Sequence, residues 1–135
     1  MMKTKGNGMS IKEYTVKIYD DGTKRWFLNS NLHREDGPAV EFANGNKFWF
    51  LNGELHREDG PAIEYVNGDR SWYLNDNLHR EDGPAIEYVN GDKFWYLNGI
   101  EYTEAKFKKK MAPVKEMTVA EIEKLLGYRL KIVKE

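Results

Sequence analysis

The residues of this chain best suited to chemistry recur as a set. His33, Arg34, Glu35 and Asp36 return at positions 56–59 and 79–82, always 23 residues on, and these copies contain all three histidines. A histidine beside two carboxylates suggests either a metal site or an acid–base pair. The spacing argues against metal. If each unit adds two strands to a sheet, equivalent histidines stand roughly 10 Å apart. Zinc holds its nitrogens at about 2.0–2.1 Å, so the three cannot share one ion, and a single rung offers one imidazole only. No metal and no other cofactor is expected. Acid–base catalysis asks for one pocket with one tuned pair, whereas these rungs repeat without divergence, so no catalytic residue is assigned.

Two uses of the rungs remain. In a structural use, Asp-Gly turns the chain, carboxylates accept backbone N–H bonds, and arginine bridges to the next rung's carboxylate. His56 then faces Trp49 across a tight turn and packs on its indole. In a binding use, His33, Arg34, His56, Arg57, His79 and Arg80 form a mixed-charge ladder. Phe27, Phe50, Tyr73 and Tyr96 supply a second candidate surface, an aromatic stripe with one member per unit. Aromatic and arginine side chains are the usual anchors of interfaces. The stripe serves either as such a surface or as packing for the C-terminal helices.

The elements that position these residues follow from the same period. Trp26, Trp49, Trp72 and Trp95 are in register, as are Leu28, Leu51, Leu74 and Leu97, and Tyr19, Phe42, Tyr65 and Tyr88. Asp21-Gly22, Asn44-Gly45, Asn67-Gly68 and Asn90-Gly91 mark four hairpins, read as type I′ turns because Asn-Gly and Asp-Gly tolerate two positive φ angles. A two-residue turn at Asn67-Gly68 pairs Tyr65 with Arg70 and Ile63 with Trp72. One face then carries Ile63, Tyr65, Trp72 and Leu74, the other Ala62, Glu64, Ser71 and Tyr73. A second tight turn, as at Asn52-Gly53, follows each Trp strand. Pro61 lacks a ladder donor and suits a strand start.

These signals predict a mainly β chain: an elongated single-layer antiparallel sheet of stacked hairpins over residues 14–102. Residues 1–13 form a flexible N-terminus. Residues 103–135 form a small helical cap, with Thr103 and Thr118 as N-caps, Glu121 completing a capping box and Gly127 ending the second helix. Alternation at Tyr128, Leu130 and Ile132 predicts a terminal strand.

Composition narrows the partners. Twenty-one Lys and Arg balance 22 acids, whereas double-stranded nucleic acid favours a positive excess. The short basic run Lys106, Lys108, Lys109 and Lys110 reads as a solvated helix face. No apolar run suits a signal peptide or a membrane span. The chain has no cysteine, and a cytoplasmic location is expected.

An aromatic, Asn/Asp-Gly, Trp and Asn-Gly in this order, every 23 residues from Tyr19 to Gly99, resembles MORN repeats. The variant with His-Arg-Glu-Asp-Gly-Pro-Ala in place of the usual Gly-rich link is similar to repeats of small bacteriophage and viral proteins and of bacterial antitoxin-like proteins. The resemblance implies a non-enzymatic interaction scaffold with a protein partner, of the kind a phage would aim at a host defence protein from within the host cytoplasm. The aromatic stripes leave a second reading open, a glycan- or cell-wall-binding module. An exposed edge strand or array end also allows a homodimer.

Overall fold

The computed structural model describes residues 11–113 and 116–134. The first hairpin joins β1 (Thr15–Ile18) to β2 (Lys24–Leu28), and its counterparts are β4 (Val40–Glu41) with β5 (Lys47–Phe48), β8 (Ile63–Glu64) with β9 (Arg70–Ser71), and β12 (Ile86–Glu87) with β13 (Lys93–Leu97). These strands hydrogen-bond into one antiparallel sheet, β1-β2-β4-β5-β8-β9-β12-β13, ended by β14 (Ile100–Tyr102). Each unit also has a second, smaller hairpin. β3 (Asn31–Leu32) folds back on β2, β7 (Glu54–Leu55) on β6 (Phe50–Leu51), β11 (Asn77–Leu78) on β10 (Tyr73–Leu74), and β14 on β13. The small hairpins bond to one another as well: Gly53 N donates to Leu32 O at 2.8 Å and Arg57 N to Tyr73 O at 3.1 Å.

The first turn of each unit differs from expectation. Gly68 N donates to Tyr65 O and Tyr65 N to Asp69 O, and Gly68 alone in that loop has a positive φ, 100°. This is a three-residue loop, a type I turn closed by a glycine bulge, not a type I′ turn. One extra loop residue moves the register by one, so Ile63 pairs with Ser71 and Glu64 with Arg70. Because side chains alternate, that step exchanges the faces. Phe48, Ser71 and Phe94 join the aliphatic face, where Phe48 meets Phe42 and Tyr65 edge-on at 5.1 and 5.8 Å. The tryptophans go to the opposite side with the Glu–Lys and Glu–Arg pairs. The second turn is type I′ as expected: Asn52 and Gly53 have φ of 51° and 80°.

The buried core is thin, consisting of Ala39, Val40, Ala62, Ile63, Ala85, Leu97 and Phe107. Each alanine follows the link proline and is wholly enclosed, its carbonyl accepting from a tryptophan N–H at 2.8 Å (Trp26, Trp49 and Trp72 in turn). At the C-terminal end, α1 (Glu104–Met111) starts at the Thr103 cap and packs on β13 and β14 through Phe107. α2 (Val119–Leu126) has its capping box and ends at Gly127, whose φ is 75°. It buries no side chain; Val119, Leu125 and Leu126 are exposed. The expected terminal strand is not formed, since residues 128–134 have no strand partner and Tyr128 and Ile132 are exposed. Alternation alone leaves backbone donors and acceptors that only a neighbouring strand can pair. The expectation for residues 1–13 falls mostly on residues 1–10, outside the described part.

Candidate functional site

The arginines of the ladder are the organising side chains. The Arg34 guanidinium lies 4.0 Å from the Trp26 ring centroid, Arg57 lies 4.0 Å from Trp49, and Arg80 lies 3.8 Å from Trp72. On its other side each meets a link glycine: a Cβ on Gly37, Gly60 or Gly83 would sit 2.9 Å from the guanidinium carbon. Those three glycines do not have positive φ; they end the bends at residues 35–37, 58–60 and 81–83, and their missing Cβ is what admits the guanidinium. Edge contacts complete the cradle. Arg57 donates to Asp59 at 3.0 Å, to the Pro61 carbonyl at 3.0 Å and to Glu64 at 3.0 Å. Arg34 and Arg80 repeat the pattern with Asp36, Pro38 and Glu41, and with Asp82, Pro84 and Glu87. The expected bridge to the next rung's carboxylate is not the one formed: each arginine reaches the glutamate seven residues on, Glu41, Glu64 or Glu87, and planar guanidinium is what lets one side chain stack and pair at once. The Arg80 contact holds the Asp82 carboxyl below its ordinary 3.8.

The histidines serve the next unit. His33 Nδ1 accepts from Asn52 N at 2.9 Å, His56 Nδ1 from Asn75 N at 3.1 Å, and His79 Nδ1 from Asn98 N at 2.9 Å. Each bond ties the start of the next type I′ turn to the rung before it. With Nδ1 accepting, the proton of the neutral ring sits on Nε2, which faces Glu35, Glu58 or Glu81 at 3.4, 3.6 and 3.6 Å. His56 stands across from Trp49 as expected, its N–H donating to the Trp49 carbonyl at 3.1 Å, and the side chain stacked on that indole is Arg57. Lys12 holds the Glu35 carboxyl below its ordinary value by a hydrogen bond, with His33 second.

Between successive rungs the surface is grooved. The first groove, about 670 Å³, has residues 34–38 as one wall, Trp49 and Leu51 as floor, and residues 56–59 as the other wall. The second, about 640 Å³, repeats it one unit on, from residues 57–61 over Trp72 and Leu74 to residues 79–82. Among the charged side chains of each groove, two arginines stand against four carboxylates. The arginines are spent on the cradle, while Asp36, Glu58 and Asp59 are exposed on the rim. Five of the six ladder residues proposed from sequence, Arg34, His56, Arg57, His79 and Arg80, therefore line the grooves, while His33 is buried. Sequence reasoning missed the floor, Trp49, Leu51, Trp72 and Leu74, by placing it with the core. The signal was present: Trp precedes Arg by eight residues in three units, and Trp95, followed by Thr103, lacks an arginine.

The aromatic stripe runs elsewhere. Phe27, Phe50, Tyr73 and Tyr96 are half-buried, and the carbonyls of the last three accept from Arg34, Arg57 and Arg80 N–H. Burial raises the Tyr73 phenol above its ordinary value, and Tyr65, Tyr88 and Tyr96 add to the rise; none of the four stripe residues lines either groove. Helix α1 goes to the groove side, where Phe107 and Trp95 line one cavity. Among the described residues no group of three or more histidines or carboxylates is arranged to hold a metal ion, and no helix is long and apolar enough to cross a membrane. No protein-family model, curated protein or solved structure matches this chain.

Proposed function

We propose that this chain is a non-enzymatic scaffold that binds a protein partner along its grooved side. The observation that carries the reading is the pair of successive grooves with the same walls, floor and acidic rim. A catalytic centre concentrates unlike groups at one point; a repeated groove offers the same contact twice, which suits an extended partner. The aromatic floor and stacked arginines are the residue types that dominate interfaces. Resemblance to repeats of small phage proteins extends the proposal to an inhibitor of a host defence protein, working in the host cytoplasm. The glycan reading is weaker because a guanidinium already covers one ring face of Trp26, Trp49 and Trp72, leaving less indole for a sugar to stack on.

Affinity capture with the intact chain, followed by mass spectrometry and hydrogen exchange, tests the proposal. The expected result is a stable protein partner that slows exchange in this chain. A lysate of the native host that yields none, together with saturable binding of cell-wall fragments, would replace it with the glycan reading.

A further inference from the structure

The groove series continues past Trp72 to a member whose far side the chain itself supplies. Residues 81–84 form one wall and Trp95 lies on the floor, but the far wall is helix α1, with Glu104, Phe107, Lys108 and Met111. The helix stands where a fourth His-Arg-Glu-Asp link would begin, beside a shallower cavity of about 380 Å³. Phe107 is only 4% exposed, and Leu97 is 7% exposed, whereas its equivalents Leu51 and Leu74 line open grooves. The helix is basic, with Lys106, Lys108, Lys109 and Lys110 against Glu104; Lys108 lines the cavity with Glu81 and Asp82 and pairs with Glu104 of its own helix at 2.8 Å. One aromatic residue on a lysine-rich helix is therefore what this surface accepts within its own fold.

Resting on the scaffold reading, we infer that the two open grooves together bind a lysine-rich amphipathic helix of the partner that places large apolar anchors at i and i+7. The spacing supports this. Each unit contributes two strands to the main sheet, so the grooves repeat at roughly 10 Å. Residues i and i+7 of a helix share a face and are about 10.5 Å apart. An extended strand offers same-face side chains at about 7 or 13 Å and misses the interval. A polyproline helix comes close, about 9.3 Å at i and i+3, but among the described residues it is α1 that packs on this surface. The lysines meet the excess of rim carboxylates, and the anchors cover Trp49 with Leu51 and Trp72 with Leu74, in the manner of helix-in-groove recognition.

The probe is an alanine-based, lysine-rich helix carrying phenylalanine at i and i+7, titrated into the intact chain while the indole N–H resonances are followed. The expected result is saturable movement of the Trp49 and Trp72 signals, with Trp95 unmoved. Moving the second phenylalanine to i+5, round the helix, should abolish it. Glu58 lines both grooves and its side chain is 83% exposed, so Glu58→Lys should fold normally and weaken binding about tenfold at low salt. Equal binding of the i+5 peptide, tighter binding of a proline-rich peptide, or indifference to Glu58→Lys overturns the inference. A captured partner that protects the grooved side without presenting a lysine-rich helix to it would overturn it too, while leaving the scaffold proposal standing.

Discussion

Each unit makes two turns from nearly the same dipeptide, and they fold differently. At Asn67-Gly68 only glycine has a positive φ, and the Asn67 carboxamide accepts from Asp69 N at 2.9 Å. At Asn52-Gly53 both residues are left-handed, near the values asparagine tolerates. The first turn has glycine in all four units with φ of 93–100°, a region closed to other side chains. The second dispenses with it: Ser30 and Asp76 hold φ of 67° and 65°. The supports from the neighbouring unit differ as well. Asn46 and Asp69 side chains accept from Val66 N and Val89 N at the first turn, and the three ladder histidines accept at the second. Turn type here belongs to the stack as much as to the dipeptide.

Glycine replacement is the most forceful way to break this comparison. Gly68→Ala should destabilise by about 3 kcal/mol, adding backbone strain to a Cβ placed 2.7 Å from Val89 Cγ1. Gly91→Ala has equivalent strain but open space and should cost about 1–2 kcal/mol. Denaturant midpoints check both, and equal values would remove the role of the neighbouring unit. Next comes the histidine support. His33→Ala leaves the Asn52 amide without its acceptor and should cost about 2 kcal/mol, while ¹⁵N shifts of the unaltered chain should show the Nε2–H tautomer.

A gain sharpens the contrast. Ser30→Gly relieves a left-handed serine at the second turn and should stabilise by about 0.5–1 kcal/mol, read as a rise in Tm. The smallest effect is in acid. Asp21 stands where later units have asparagine, and a hydrogen bond from Thr23 N holds its carboxyl below the ordinary 3.8. A lowered carboxyl adds stability above its unfolded value and loses it as pH falls through the folded one. Melting followed from pH 5 down to pH 2 should fall less steeply in Asp21→Asn than in the unaltered chain, and parallel curves would show that the bond contributes nothing.

Much of the architecture was legible because it is local or repeated. Thr103 and Thr118 cap their helices as expected, and Asn52-Gly53 makes its I′ turn, since each depends on a few neighbouring residues. The groove was not legible, because its floor depends on which face the tryptophans take. That face turned on whether the first loop held two residues or three. The terminal strand failed for a related reason: alternation marks a face but supplies no partner.

The 23-residue spacing alone determined that the chain is a β array with equivalent side chains in rows, because identical local preferences fold identically. Tertiary structure decided the register, the stacking of arginine between indole and glycine, and the packing of α1 through Phe107 on the last strands. Those outcomes depend on contacts between units, where a shift of one residue reverses a strand's faces and no single unit carries the information to choose.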